Sequence, residues 1–274
     1  MFSFGYRGAV RQSLRDALRG DGLVLCLALQ AARTTDIPMI AAACGYDAVY
    51  VDLEHTSTSL EVAAMLCASA LGAGIWGLVR TPSQDPSLIA RVLDSGATGV
   101  IVPHVNSGSE ARAVVDAARF PPVGHRSISG PNALSGFGHR SAAELTQVFE
   151  RETTVAVMIE TPEAVEACDD IASVDGVDMV LLGPSDLTAE MGIHGDYENA
   201  RFHNAVQSVL AACREHGVAF GVAGIKSLDL LEGFVHQGLR FISAGTDVGM
   251  LSEAATLRAQ SLRGLERKPD RTHP

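Results

Sequence analysis

Residues 48–80, AVYVDLEHTSTSLEVAAMLCASALGAGIWGLVR, hold one complete strand–helix–strand unit. The run 48–52 is short and apolar until its final Asp52, which predicts a strand of a parallel sheet covered on both faces. Residues 57–73 place apolar side chains at helical spacing, and 75–80 form a second buried run that closes on Arg80. The unit recurs along the chain. Further apolar runs lie at 23–29, 99–102, 155–159, 179–183, 219–222 and 241–244, and helical segments at 86–95, 109–118, 162–173, 200–216 and 227–237 separate most of them. Several helical segments begin at or just after Ser, Thr or Asp, and several stop near Gly96, Gly217 or Gly238, as helix caps require. Eight such units in 274 residues predict an α/β fold, a (β/α)8 TIM barrel, as a single domain over 1–274. A doubly wound sheet would need a glycine fingerprint after its first strand, whereas Leu29 is followed by Gln30-Ala31-Ala32-Arg33.

Outside the repeating units, residues 13–19 read as a short amphipathic helix stopped by Gly20-Asp21-Gly22, within an N-terminal extension over 1–22. The polar stretch 264–274 reads as a flexible tail. Residues 120–140, FPPVGHRSISGPNALSGFGHR, break the rhythm; a loop of this length predicts a functional or interface element, with no assigned role for His125, Arg126 or His139. The net charge of −11 gives no electrostatic reason to hold nucleic acid or an anionic membrane. Cys26, Cys44, Cys67, Cys168 and Cys213 are widely spaced in apolar stretches, which predicts buried free thiols and a cytoplasmic, soluble protein.

Active sites of such barrels form at the C-terminal ends of the strands. Here those ends carry Asp52-Leu53-Glu54-His55, Arg80, Glu160-Thr161 and Gly183-Pro184-Ser185-Asp186, ionisable groups on otherwise apolar strands. Glu160 and Asp186, at adjacent strand ends, suit a hard divalent cation; equally, each could cap the helix that follows, Asp186 the segment 187–191. Arg80 could stabilise negative charge developing on oxygen, or pair with one of these two carboxylates. His55, beside Asp52 and Glu54, reads as a tuned base or as a hydrogen-bonded rim histidine, and His104 is a second, weaker candidate. The lysines are Lys226 and Lys268 alone, and neither lies within a strand, where a Schiff-base lysine would stand. A carbanion here would therefore be stabilised by metal.

Taken in order, Asp52-Leu53-Glu54-His55, Val79-Arg80, Leu93-Asp94-Ser95-Gly96-Ala97, Ile101-Val102-Pro103, Ile159-Glu160-Thr161 and Gly183-Pro184-Ser185-Asp186-Leu187 resemble the HpcH/HpaI aldolases, class II pyruvate-dependent enzymes, from about residue 23 to 262. The resemblance implies a phosphoenolpyruvate/pyruvate-type barrel with Glu160 and Asp186 as ligands of Mg2+ or Mn2+, with Co2+ also accepted. It implies that Arg80 contacts the keto oxygen, that backbone N–H groups in Gly183-Pro184-Ser185-Asp186 hold the carboxylate, and that His55 serves as base. Asp94 would act in a neighbouring subunit's site, paired with His55 there. A homohexamer, built as a trimer of dimers with the final helix on a neighbouring barrel, is implied as well. Leu53 stands where the family often has glycine, and Pro121-Pro122-Val123-Gly124-His125-Arg126-Ser127 is less basic than its usual counterpart. That loop, along with Pro103-His104-Val105 and the N-terminal Arg11-Gln12-Ser13-Leu14, looks closer to a branch that includes fungal homologues and macrophomate synthase.

The implied function is reversible cleavage of a 4-hydroxy-2-oxo acid to pyruvate and an aldehyde through an enolate stabilised by the metal. Oxaloacetate decarboxylation, macrophomate-synthase-like carbon–carbon bond formation and CoA-thioester cleavage share the same enolate chemistry. A non-catalytic barrel serving as a binding module is the alternative of another class.

Overall fold

Short β-rich runs separated by helices leave each strand no partner but its sequence neighbours, and the sheet closes on itself. In order, the strands are Val24–Leu29 (β1), Ala48–Asp52 (β2), Trp76–Arg80 (β3), Gly99–Val102 (β4), Thr154–Ile159 (β5), Met179–Leu182 (β6), Ala219–Ala223 (β7) and Leu239–Ser243 (β8). All neighbours are parallel, and β8 returns to β1 through Val24↔Phe241 and Leu25↔Ile242, closing the expected (β/α)8 barrel. The structure, a computed structural model, describes residues 12–243 and 245–265. The beginning of the expected N-terminal extension, the last residue of the run 241–244, and the expected tail from residue 266 onward lie outside the described residues.

The helices are Leu14–Arg19 (α1), Asp36–Ala43 (α2), Leu60–Gly72 (α3), Pro86–Asp94 (α4), Gly108–Ala118 (α5), Ala142–Glu152 (α6), Pro162–Glu166 (α7), Cys168–Ala172 (α8), Pro184–Glu190 (α9), Ala200–His216 (α10), Leu228–His236 (α11) and Asp247–Arg263 (α12). The single helix expected over 162–173 is broken at Ala167 into α7 and α8. α2 gives no helical period because Ile37, Met39 and Ile40 spread its apolar character around the axis, leaving Met39 and Ile40 exposed. All five cysteines are free thiols; contrary to expectation, Cys44 is exposed, at the end of α2.

Side chains alternate along each strand between two cores. Cys26, Ala28, Leu78, Ile101, Ala156, Met158, Met179, Leu181 and Phe241 fill the barrel interior, while Leu27, Leu29, Val155, Val157, Val180 and Leu182 pack outward against the helices. Leu14 and Leu18 of α1 join the interior cluster. Trp76 Nε1 donates to Gln12 O at 3.3 Å and Arg15 Nε pairs with Asp178 Oδ1 at 2.8 Å, so α1 closes the end at which the strands begin. At Gly99 a Cβ would lie 2.6 Å from Thr154 O, so glycine is what lets β4 and β5 run side by side there.

At the opposite end, Asp247, the first residue of α12, accepts the backbone N–H groups of Gln30 (2.9 Å), Ala31 (3.0 Å) and Ala32 (2.6 Å). The turn after β1 thus wraps an internal carboxylate. No side chain of α12 is buried.

If α1 is a structural plug, Leu14→Ala leaves a void under the barrel and is expected to cost about 2–5 kcal/mol in urea unfolding. A loss below about 1 kcal/mol would show that the barrel floor collapses without it.

Candidate active site

Asp52 and Arg80 are the last residues of β2 and β3 and stand opposite each other in register. Their side chains form a two-pronged pair: Arg80 Nε donates to Asp52 Oδ1 at 3.1 Å and Nη2 to Oδ2 at 2.6 Å. Asp52 is fully buried. Burial pushes its carboxyl up, but the Arg80 hydrogen bonds and charge outweigh this and hold it below the usual aspartate range. Asp52 Oδ1 also accepts the backbone N–H of Glu54 (3.0 Å) and of His55 (3.3 Å), which turns the chain out of the strand. The Arg80 guanidinium lies over the Tyr50 ring, 5.7 Å from its centre. Arg80 was expected to pair with Glu160 or Asp186 if it served structure alone; its partners are Asp52 and, through Nη1 at 3.0 Å, Glu54.

Glu54 is a hub. Its Oε2 faces Arg80, and its Oε1 lies 3.1 Å from His104 Nε2. The other nitrogen of His104, Nδ1, lies 3.2 Å from Glu160 Oε2, and the His104 backbone N–H donates to that same oxygen at 2.8 Å. To do this His104 adopts a left-handed backbone, φ 55°. His55, the favoured histidine of the sequence, is half exposed with Nε2 3.6 Å from Glu54 Oε2. The side chain of Asp52 engages its backbone, not its ring. His104, the weaker candidate, is the histidine that touches Glu160.

Glu160 follows β5 and is 1% exposed. Burial pushes its carboxyl above the usual glutamate range; the His104 N–H and ring oppose this, while the charges of Glu54 and Asp186 add to it. Gly183, at the end of β6, makes room for it: a Cβ at Gly183 would lie 2.6 Å from Glu160 Cγ and 2.7 Å from Oε1. Asp186 lies in the first turn of α9, whose N-cap is Gly183 with Pro184 as first helical residue. Of the two readings open for Asp186, the cap of 187–191 is thus not the one the structure shows. Thr161 does cap α7, its hydroxyl accepting from Ala164 N at 3.1 Å. Leu187 N donates to Gly183 O, so the N–H groups of Ser185 and Asp186 precede the first intrahelical bond of α9 and point out of its end.

His55, Arg80, Glu160, Gly183, Ser185 and Asp186 line one cavity of about 600 Å³. Tyr50 lines it too, its hydroxyl pushed up to about 12 chiefly by burial. Its signal in the sequence was one hydroxyl within an apolar strand. Asp94 is not brought to this cavity. At the end of α4 it pairs with Arg126 Nη2 at 2.7 Å, and that buried guanidinium stacks over Phe120 and Phe149. Asn132 Nδ2 donates to Asp94 O at 3.0 Å, so the segment 120–140 grips the end of α4.

The donor set fits a hard divalent cation. The charge of Asp186 adds to the raising of the Glu160 carboxyl, Glu160 is buried against its preference for the neutral form, and its Oε1 is turned toward Gly183 rather than toward His104. Among the described residues no three His, Cys, Asp or Glu side chains enclose a metal by themselves. Two carboxylates leave the other positions to water and substrate oxygens, a common arrangement for Mg2+.

A family model described as HpcH/HpaI aldolase/citrate lyase matches residues 28–254. The chain is 38% identical over 254 residues to a 4-hydroxy-4-methyl-2-oxoglutarate aldolase of Hapsidospora irregularis, covering 90% of this chain and 94% of the relative. The crystal structure of an HpcH/HpaI aldolase from Desulfitobacterium hafniense superposes with TM-score 0.85 at 29% identity, over 96% of this chain and 100% of that one. Macrophomate synthase, 24% identical with TM-score 0.79 over 98% and 97% of the two chains, shares the fold.

Glu160 holds its proton more tightly folded than unfolded, so its contribution makes stability fall as pH rises from the ordinary glutamate range through its raised value. Glu160→Gln keeps an acceptor for the His104 N–H and removes the buried charge. Without metal, the variant is expected to melt about 2–4 °C above the wild type at pH 7, with the gap closing below about pH 4. Parallel melting curves across that range would contradict this account of Glu160.

Proposed function

The chain belongs to the HpcH/HpaI aldolase/citrate lyase family, and from that premise we propose that it splits 4-hydroxy-2-oxo acids into pyruvate and a carbonyl compound, reversibly, in the cavity at the C-terminal ends of its strands. It is a carbon–carbon lyase of the aldolase type. The observation that carries the site assignment is the buried Glu160 sharing a cavity with Asp186 and with an Arg80 that Asp52 holds rigid.

Glu160 and Asp186 would hold a divalent cation, Mg2+ or Mn2+ with Co2+ as a substitute, and when bound it supplies Lewis-acid polarisation of the keto oxygen. Arg80 donates to that oxygen as negative charge builds on it, and its fixed guanidinium needs no reorganisation to do so. The N–H groups of Ser185 and Asp186 at the start of α9 receive the C1 carboxylate, with Gly183 and Pro184 shaping the floor beneath it. His55 Nε2, directly or through one water, takes the proton of the C4 hydroxyl; the C3–C4 bond breaks and its electron pair passes to the enolate of pyruvate. Tyr50 keeps its proton under the Arg80 guanidinium and seals that side from water.

The chain works as one barrel domain over 1–274 in this reading, assembled into a homohexamer as a trimer of dimers. What supports the assembly is α12, whose Val248, Met250, Leu251, Leu257 and Leu262 are all exposed in the single chain, a surface suited to a neighbouring barrel. In such an assembly Asp94, which lies away from its own cavity, would serve a neighbour's His55. Free thiols fit a cytoplasmic setting.

With Mn2+ the protein is expected to exchange the methyl protons of pyruvate with D2O, followed by NMR, and EDTA should abolish it. Glu160→Ala or Asp186→Ala should lower the rate at least about a hundredfold. Full exchange in EDTA would sink the metal assignment. Leu251→Glu combined with Leu257→Glu is expected to dissociate the assembly in light scattering; an unchanged mass would remove α12 from the interface.

A further inference from the structure

The two carboxylate oxygens of Glu160 stand in different surroundings. Oε2 accepts the His104 backbone N–H at 2.8 Å and has His104 Nδ1 at 3.2 Å, so one residue engages this oxygen twice. Oε1 is turned toward Gly183, where a Cβ would lie 2.7 Å from it, and so toward the helix start that carries Asp186. His104 does not itself line the cavity; it stands behind Glu160. It lies in the turn after β4, in the left-handed backbone region that residues with a side chain seldom enter. The turn is held from several sides. His104 O accepts Gln84 Nε2 at 2.7 Å, Val105 N donates to Met158 O at 3.2 Å, and Asn106 Oδ1 accepts the Thr161 hydroxyl at 2.6 Å. On the far side of the ring, Nε2 lies 3.1 Å from Glu54 Oε1, and Arg80 Nη1 holds Glu54 in turn at 3.0 Å. A rare backbone conformation fixed this completely beside a reacting centre points to a task for the residue that adopts it.

A carboxylate with both oxygens free can grip a cation with two. One whose second oxygen is already taken offers a single ligand. The difference separates hard cations. Ca2+ takes large, irregular oxygen shells and often both oxygens of one carboxylate, whereas Mg2+ demands a small, near-octahedral shell filled by single oxygens and waters.

Resting on the metal-dependent aldolase reading above, we propose that His104 is a positioning residue that restricts Glu160 to one ligand oxygen and thereby biases the site toward Mg2+ and against Ca2+. The imidazole acts through Glu160 and touches neither substrate nor cation. Loss of the ring leaves Oε2 free to turn toward the cavity. Mg2+ then meets a looser carboxylate, and Ca2+ gains a second oxygen from the same side chain.

The test follows Mn2+ bound to the full chain by EPR and titrates Mg2+ and Ca2+ as competitors. The wild type is expected to bind Mg2+ more tightly than Ca2+. His104→Gly keeps the left-handed turn and its N–H but has no ring. It should lower the ratio of the Ca2+ Kd to the Mg2+ Kd by about tenfold or more, the scale of losing an outer partner of a metal ligand. His104→Asn tolerates the same backbone and places an amide nitrogen near the position of Nδ1, so it should retain most of the ratio. Because both competitors are measured on one preparation, incomplete folding of a variant cancels from the ratio. A wild type without preference for Mg2+, a His104→Gly ratio equal to that of the wild type, or an equal fall in both variants overturns the assignment. Exchange of pyruvate methyl protons with D2O by the wild type with Mn2+ separates the two levels: exchange with a ratio indifferent to residue 104 rejects the role of His104 and keeps the aldolase reading, whereas neither Mn2+ binding nor exchange rejects both.

Discussion

Two buried ions at the ends of neighbouring strands govern the top of this barrel. Removing Asp52 and Arg80 from water would cost several kcal/mol each if either stood alone, and a matched two-pronged geometry is what offsets it. The strand register delivers that match, because Asp52 and Arg80 are partners in the ladder. Once Arg80 has taken both carboxylate oxygens, the remaining lone pairs of Asp52 accept the N–H groups of Glu54 and His55, and the chain must bend there. Glu54 is thereby swung back toward Arg80 Nη1, and His55 is left on the rim of the cavity. Placement of the candidate base and the rigidity of the candidate electrophile follow from one ion pair.

A second tier of charge hangs from the first. Glu54 shares His104 with Glu160, so three strand ends are linked through one imidazole and two carboxylates. Arg80 and Asp52 nearly neutralise each other, which leaves Glu54, Glu160 and Asp186 as an excess of negative charge in a partly buried space. The raised proton affinity of Glu160 is the local expression of that excess. A cation entering there gains from all three at once, and protonation of Glu160 is what it competes with.

Much of this was legible in the sequence because period and position carry it. The run 48–52 ending in Asp52 and the run 75–80 ending in Arg80 announce strands whose last residues reach the rim, and rim residues of a barrel converge by topology. Glu160, Gly183 and Asp186 followed by the same rule. Partner choice was not legible: that Arg80 takes Asp52 and Glu54 depends on register, which apolar runs do not specify to the residue. The part played by His104 depends on a left-handed backbone that no residue pattern announced. Lys226 reads from the sequence as lying outside any strand; that it reaches the cavity wall is set by the loop after β7. α2 was hidden because its apolar residues face every direction, and α12 buries nothing in its own chain.

The carboxylate of Asp247 joins the first turn of the barrel to the root of the last helix, with three N–H groups converging on it. Gln30, Thr246 and Met250, on either side of this clasp, all belong to the cavity wall. Stiffness in that wall is therefore borrowed: whatever restrains the unburied body of α12 acts as a lever whose short arm ends at Gln30, which in turn donates to Asp52 at 3.4 Å. A subunit's surroundings and its central ion pair are thus two ends of one short mechanical train.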